Sequence, residues 1–449
     1  MHSTQTTKEK LMLFVTIFFP VLIYQLANFS ASFLDTMMTG HYATKHLAGV
    51  SMATSLWNPM FSFLTGLVSA LVPVIGHHLG RKEQDKVTQE FHQFLYLGLG
   101  LSLVLMAVVA FGARPFLATM GLEPEVLAVG QAYLDCLLVG IVPLSLFSIC
   151  RSFFDALGLT RLSMYLMLLI LPFNAFFNYG LIYGRFGFPE MGGAGAGLGT
   201  SLTYWAVLLV VLFVMARHPK VRAYKIWQLD QLQPKLVWSG FRLGLPIGLQ
   251  VFVEVAIFAA MGLMMAQFSS EIIAAHQSAM NFATLMYAFP ASISSALAIV
   301  ISYEVGARRV ADVQAYTRIG RWFALGFATL TLTFLYTFRF QVAGLYGTEQ
   351  SFIRTTAVFL TYSLFFQLAD AYAAPIQGIL RGYKDTTMPF IIGFVGYWAA
   401  AFPIGMALNA WTNLGPYAYW IGLISGIIIC GIFLNIRLNK MAKKLNDRT

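Results

Sequence analysis

The chain alternates between long apolar runs and short breaks that are charged or rich in glycine and proline. About twelve apolar runs begin near residues 11, 47, 93, 129, 162, 193, 240, 274, 320, 354, 388 and 416. Each run is long enough to cross a bilayer, which takes roughly 20 residues of α-helix. The pattern therefore predicts an all-α polytopic membrane protein with twelve transmembrane helices. Composition agrees, because only 11% of the 449 residues are charged, against about a quarter in soluble domains.

Lysine and arginine are unevenly divided between the two sides of this predicted topology. Of the 29 basic residues, 24 lie at the termini and in the even-numbered loops, and the other 5 lie in the odd-numbered loops. Basic loops stay on the cytoplasmic side of a membrane, so we expect both termini there. Basic loops facing anionic lipid also account for the net charge of +10 without a nucleic-acid partner.

The two halves of the sequence repeat in the same order. Positions 226 apart carry related residues, as in Pro20 and Pro246, and in Gly80 and Gly306. Later in the chain, aligning Gly158 with Gly382 gives a similar match at a shift of 224 positions. Such a repeat predicts two pseudo-symmetric six-helix lobes related by an axis along the membrane normal. We expect an N-lobe at 1–215 (spans 1–6), a cytoplasmic linker at 216–235 and a C-lobe at 236–449 (spans 7–12).

Asp35 is the only charged residue of the first apolar run, 11–40. Gln25, Asn28 and Ser32 precede it at helical spacing, so the carboxyl group ends a polar stripe that must face protein or water. A carboxylate in hydrocarbon is costly and is usually kept for binding a proton or a cation. The alternative is a helix cap near the outer end of the span. Pro20 permits a bend in the same helix and is the expected hinge.

Neutral oxygen ligands occur on the fifth and sixth spans. Asn174 and Asn178 are one helical turn apart, and Thr200 follows a run of glycines that would let helix backbones approach closely. Together with Asp35 they form a plausible site for a hard cation or hydronium in the N-lobe. The alternative for the asparagines is hydrogen bonding between helices without a ligand.

Two further acids, Glu254 and Asp370, stand deep in apolar runs of the C-lobe. Gln250 lies one turn before the glutamate, and Gln367 and Gln377 lie on the stripe of the aspartate, so both acids are expected to point inward. They form the second candidate cation site. The alternative is a structural pair of carboxyl groups that share a proton.

The remaining polar positions inside the spans are candidates for a substrate cavity between the lobes. They are Gln25, Asn28, Ser32, Gln250, Gln277, Asn281 and Gln367. Ordinary packing is the alternative at each of them. No histidine spacing indicates a metal site, and no phosphate-binding loop or hydrolase motif occurs, which favours secondary transport over ATP-driven transport or enzymatic activity.

Several segments carry a family resemblance across nearly the whole chain. They are NFSASFLDTMMTG with Asp35, LAGVSMATSLW, LPFNAFFNYGLIYGRFGFPEMGGAGAGLGT, GLPIGLQVFVEV with Glu254, and QLADAYAAPIQGILRGYKDTTMPF with Asp370. The sequence resembles the multidrug and toxic compound extrusion (MATE) transporters, especially the NorM-like bacterial branch. The resemblance implies a cation-coupled antiporter that takes in Na⁺ or H⁺ and exports bulky cationic amphipathic compounds as two lobes rock around a central cavity.

We therefore expect a monomeric multidrug antiporter of the bacterial inner membrane, with no cofactor besides Na⁺ or H⁺ as coupling ion. Asp35, Asn174, Asn178 and Thr200 match the first-lobe cation site of that family, and Glu254 and Asp370 match the second. A metabolite exporter or a lipid-linked precursor flippase of the same architecture is an alternative. A flippase would need basic residues in its cavity, whereas every lysine and arginine is expected outside the spans. A membrane-embedded enzyme is the alternative from another class.

Overall fold

The structure is a computed structural model that describes residues 1–447, so the last two residues of the predicted C-lobe lie outside the described part. Twelve helical segments of the described chain are long and apolar enough to cross a membrane. Their order confirms the predicted all-α fold and the twelve spans. Helices are expected here because every backbone polar group in a bilayer must find its partner within the protein.

The described residues form these helices in chain order: α1 Thr7–Tyr42, α2 Thr44–Val68, α3 Leu71–Gly80, α4 Gln84–Val108, α5 Arg114–Ala118, α6 Pro124–Ala156, α7 Thr160–Tyr183, α8 Gly193–Arg217, α9 Pro219–Arg222, α10 Pro234–Met264, α11 Ser270–Met286, α12 Ala288–Gly306, α13 Val310–Gly344, α14 Gln350–Gly382, α15 Thr387–Phe394, α16 Phe402–Trp411 and α17 Tyr417–Asn446. Two π-helical segments, Val109–Ala113 and Val395–Ala401, continue α4 into α5 and α15 into α16. The spans Thr44–Gly80 and Glu271–Gly306 also contain two helices each, so four of the twelve spans consist of two successive α-helices.

Two compact units make up the fold. The first unit comprises Ile23–Gly248, and the second comprises Met1–Leu22 with Leu249–Thr449. The chain passes from one unit to the other within α1 and within α10, two residues after Pro20 and two residues after Pro246. The units therefore divide the chain at different places from the sequence-based division at 216–235. Both proline-containing helices run through without interruption.

Residues with a left-handed backbone conformation (positive φ) show which positions of the two halves correspond to each other. Lys82 (φ 61°) and Arg308 (φ 57°) end equivalent helices 226 positions apart, and Gly158 (φ 78°) corresponds in the same way to Lys384 (φ 62°). The earlier alignment of Gly158 at a shift of 224 is therefore wrong, because it matched a glycine that still belongs to α14. One offset of 226 relates the two halves through their first four spans.

Equivalent turns in the two halves are closed by side chains at the same positions, but the acidic and basic residues are exchanged. His78 Nδ1 lies 2.7 Å from Glu83 Oε2 at the end of α3. The residues 226 positions later are Glu304 and Arg309, and their Oε2 and Nε atoms are 2.6 Å apart. Each turn is thus closed by a contact between an acidic and a basic side chain, although the two have changed places.

Residues before α1 are fixed within the second unit. Lys10 Nζ lies 2.9 Å from Asp312 Oδ1 and donates a hydrogen bond of 2.7 Å to the carbonyl oxygen of Thr4. The hydroxyl groups of Thr4 and Tyr316 are 3.0 Å apart. Lys10 is only 5% exposed, so this contact is a buried anchor for the start of α1.

The connector at 218–234 packs against α4 within the first unit. His92 is fully buried, with Nδ1 2.8 Å from the Asp230 carboxylate and Nε2 2.6 Å from the carbonyl oxygen of Ile226. Gln93 adds hydrogen bonds to the following connector residues, both as donor and as acceptor. The segment predicted as a linker is therefore held along its length by α4.

Candidate functional site

Four polar residues from three helices meet in the first unit. The amide nitrogen of Asn178 donates to Asp35 Oδ1 and, at 2.9 Å, to Asn174 Oδ1. The hydroxyl of Thr200 donates to Asp35 Oδ2 at 3.3 Å. Both asparagines are buried, with exposures of 2% for Asn174 and 0% for Asn178. The four residues named from the sequence therefore form one connected cluster around a carboxyl group.

Local sequence explains why α7 and α8 can bring these groups together. The two asparagines are four residues apart on α7 and so share one face of the helix. A Cβ atom at Gly195 of α8 would lie 2.6 Å from the carbonyl oxygen of Leu181, and one at Gly199 would lie 2.2 Å from Asn178 Oδ1. Glycine at these positions allows the two helices to approach closely and leaves the space that the Asn178 amide fills.

In the second unit, Glu254 and Asp370 lie close enough to repel each other electrostatically. The glutamate is half-buried and the aspartate is 7% exposed. Glu254 is accompanied by the amides of Gln250 and Gln377 and by the hydroxyl of Tyr287. The two acids thus belong to one polar cluster formed by α10, α14 and the junction between α11 and α12.

A pocket of the second unit opens beside the aspartate. Its wall includes Asp370, Gln367, Tyr287 and Phe327, together with further apolar residues of α11–α14. The amide nitrogen of Gln367 is buried and has no hydrogen-bond partner. The pocket thus places a carboxyl group and an unpaired amide beside apolar side chains, but its volume of about 30 Å³ is that of a water molecule and is too small for an organic ligand in this conformation.

The other residues expected in a substrate cavity are more scattered. Gln25 and Asn28 are half-buried on α1, whereas Ser32, Gln277 and Asn281 are exposed. Asn281 accepts a hydrogen bond of 2.9 Å from the hydroxyl of Tyr346. Their role in a cavity stays a prediction.

Two of the arginines that the sequence places outside the spans lie within long helices and beside acids. Arg381, near the end of α14, lies beside Glu254, and Arg151 of α6 lies beside Asp155. Sequence reasoning placed Arg381 in a loop and did not single out Asp155. The offset of 226 would have connected these two positions, since Asp155 and Arg381 occupy the same place in the two halves. Each arginine faces an acid and is therefore compensated in charge.

Among residues 1–447 the structure contains no group of three or more His, Cys, Asp or Glu side chains arranged to hold a metal ion. The first-unit cluster instead offers one carboxylate with amide and hydroxyl oxygens. Hard monovalent cations and protons are the ligands that this donor set suits.

Comparison with known proteins connects this geometry to a family. The MatE family profile matches residues 20–180 and 246–407, two segments whose starts are again 226 positions apart. The chain is 59% identical over 447 residues to "Probable multidrug resistance protein NorM" of Streptococcus pneumoniae R6, covering 100% of this chain and 99% of the relative. A protein of the same name from Bacillus subtilis 168 is 38% identical, with 100% and 99% coverage.

Solved structures show the same fold at low sequence identity. A multidrug resistance MATE family transporter in an outward-facing conformation superposes with a TM-score of 0.87 at 17% identity, covering 99% of this chain and 100% of that one. The Vibrio cholerae MATE transporter VcmN in the bent form gives 0.86 at 18% identity, with 98% of each chain covered. The profile match over both halves, the full-length NorM relatives and the fold together show that the chain is a multi-pass membrane protein that belongs to the MATE family of transporters.

Proposed function

We propose that this protein is a cation-coupled exporter of bulky, mostly cationic amphipathic compounds, with Na⁺ or H⁺ as the coupling ion and alternating access of two lobes as the mechanism. The observation that carries the proposal is the first-unit cluster, in which Asp35 accepts hydrogen bonds from Asn178 and Thr200 and all three residues belong to helices long and apolar enough to span a membrane. The names of the NorM relatives support multidrug export.

The chemistry of the cluster supports ion exchange. Asp35 carries the negative charge, and the amide and hydroxyl groups around it supply dipoles that can face either a cation or a protonated carboxyl group. One positive charge moving inward across about 100 mV releases roughly 2.3 kcal/mol. That energy sustains a roughly 50-fold concentration ratio of an exported compound.

The second-unit cluster supplies polar groups with which a cationic substrate can interact. Asp370 lies in the wall of an apolar pocket, and Gln367 offers an unpaired amide there. In this proposal the carboxyl groups of Glu254 and Asp370 attract a cationic substrate, and uptake of the coupling ion favours its release.

Localisation and assembly are also part of the proposal. The distribution of basic loops supports a bacterial inner membrane protein with both termini in the cytoplasm. A single chain contains both clusters, so a monomer is sufficient. Its partners are the lipid bilayer and small cationic drugs.

The test uses proteoliposomes that contain the full-length protein and a fluorescent organic cation, with Na⁺ and pH gradients imposed separately. We expect one gradient to drive efflux by the wild type and Asp35→Asn to abolish that dependence. Asp135→Asn is the matched control, because Asp135 is an exposed acid that pairs with Arg114. Unchanged gradient-driven efflux by Asp35→Asn would refute the assignment of this site.

A further inference from the structure

A second ionisable cluster lies in the first unit, away from Asp35. The hydroxyl of Tyr24 on α1 donates a hydrogen bond of 3.1 Å to Asp155 Oδ2 on α6. The guanidinium carbon of Arg151, one turn earlier on α6, is 5.1 Å from the centre of the Tyr24 ring. Tyr24 is 3% exposed, Asp155 is 5% exposed and Arg151 is half-buried, so an acid and a phenol are buried together beside a base.

This cluster is incompletely paired. Asp155 Oδ1, Arg151 Nε and Ser163 Oγ are all buried and lack hydrogen-bond partners. Ser163, on α7, is fully buried and lies beside Asp155. Buried polar atoms without partners are rare in proteins. Each such atom calls for an explanation, and a catalytic or ion-binding role is one of those known in proteins.

Helix geometry relates the cluster to the Asp35 site. Tyr24 precedes Asp35 by eleven residues on α1, and Ser163 precedes Asn174 by eleven residues on α7. Eleven residues are close to three turns, so each pair shares a helix face and is separated by about 16 Å. Tyr204 of α8 lies within electrostatic range of both Asp35 and Arg151. The Tyr24 cluster lies near the end of α6 and the start of α7, where a cytoplasmic loop is expected.

The repeat gives independent support. Tyr24, Arg151 and Asp155 correspond, at the offset of 226, to Gln250, Gln377 and Arg381. Those three residues, with Tyr287, are the ones that interact with Glu254 in the second-unit cluster. The same place in the fold thus holds an acid with a facing arginine in both units, although the acid stands on α10 in one and on α6 in the other.

We propose that Asp155, together with Tyr24, Arg151 and Ser163, is a second proton-binding site of the transporter, through which protons pass between the Asp35 site and cytoplasmic water. The ligand is a proton delivered by hydronium: Asp155 Oδ1 takes up H⁺, hydronium becomes water, and the carboxylate becomes a neutral carboxyl group. Arg151 faces the same carboxylate and opposes a metal cation there. The inference rests on the proposed transport function. The charged and titratable groups that face Asp155 are Tyr24 from α1 and Arg151 from its own helix.

Infrared pH-difference spectroscopy of the purified full-length protein tests proton binding directly, because a protonated carboxyl group has its own carbonyl band. We expect Asp155→Asn to remove one such band, and Asp135→Asn, the matched change at an exposed position of α6, to leave it. An Asp155→Asn spectrum that equals that of Asp135→Asn would overturn the proposal.

If Asp155→Asn does not fold, a variant that retains Asp155 tests proton binding instead. Tyr24→Phe removes the hydrogen-bond donor of the ionised carboxylate, so the midpoint of the Asp155 band should move to higher pH. An unchanged midpoint in Tyr24→Phe contradicts the assignment.

Efflux assays separate this inference from the proposed function. In proteoliposomes with an imposed pH gradient, Asp155→Asn should slow efflux about 100-fold, the low end of what a positioned proton-transferring group contributes. If the wild type shows gradient-driven efflux and Asp155→Asn shows it at the same rate, the proposed passage of protons through Asp155 is refuted and the transport function is not. Absence of gradient-driven efflux by the wild type refutes the transport function, whereas the infrared band still reports whether Asp155 binds a proton.

Discussion

Gly199 provides a sensitive test of the first-unit site, because it controls the position of the Asn178 amide. A methyl group at residue 199 would lie 2.2 Å from Asn178 Oδ1, whereas ordinary contact begins at 3.4 Å. In Gly199→Ala the amide must therefore withdraw by about 1 Å. A hydrogen bond weakens steeply over such a displacement, so Asp35 should lose the donor that Asn178 supplies.

The expected magnitude follows from the kind of hydrogen bond. A bond to a charged group contributes about 1.5–3 kcal/mol, equivalent to a roughly 10- to 150-fold change in binding. If protons couple transport, Gly199→Ala should reach half-maximal efflux at a lower proton concentration, because the ionised carboxylate has lost a donor. If Na⁺ couples transport, the required Na⁺ concentration should rise, because the oxygen ligands are no longer held together.

The assay is gradient-driven efflux from proteoliposomes as a function of cation concentration. Gly100→Ala on α4 is the matched control, since a methyl group there would meet no atom within 4 Å. Both variants gain the same intrinsic helix propensity from alanine. Identical cation dependence of Gly199→Ala and Gly100→Ala would refute the reasoning that the Asn178 amide sets the affinity of this site.

Three further predictions concern the anchors of the fold. Lys10→Met should lower the melting temperature, because it removes the buried partner of Asp312 and with it about 1–3 kcal/mol of stability. Lys8→Met, at an exposed position, should leave the melting temperature unchanged. Equal melting temperatures of the two variants would contradict this prediction. Hydrogen bonds from the neighbouring histidine and lysine hold the pKa of Glu83 at about 2, below its ordinary 4.5. Glu83 therefore stabilises the fold above pH 4.5, and this stabilisation is lost as the pH falls toward 2. Glu83→Gln should accordingly flatten the dependence of melting temperature on pH between these values. An unchanged slope would refute this prediction. His92→Phe should release the connector at 218–234 and speed its cleavage in limited proteolysis, with wild-type cleavage rates as the contrary result.

The first-unit cluster shows how far the sequence reaches. Asn174 and Asn178 share a face because a helix repeats every 3.6 residues, and an acid inside an apolar run must turn toward polar partners. These constraints were enough to name all four residues that the structure joins by hydrogen bonds. Their role in ion coupling depends on affinity and remains the proposal made above.

Asp155 and Arg381 show where sequence reasoning stopped. Both stand near the ends of apolar runs, where charged residues are common and usually face water. The burial of Asp155 and the partial burial of Arg381 follow from the helices that pack around them. The left-handed residues Gly158 and Lys384 show that the offset of 226, already present in the sequence, also relates these two positions.

The amino-acid sequence by itself determined the twelve spans, the twofold repeat and the membrane class, because these depend on local hydrophobicity and on a backbone that must satisfy its own hydrogen bonds in lipid. Only the tertiary structure decided that the compact units divide within α1 and α10 and that 218–234 is held by α4. The physical reason is that helix periodicity is a local property of the chain, whereas the neighbour of each helix face is chosen by packing between residues more than a hundred positions apart.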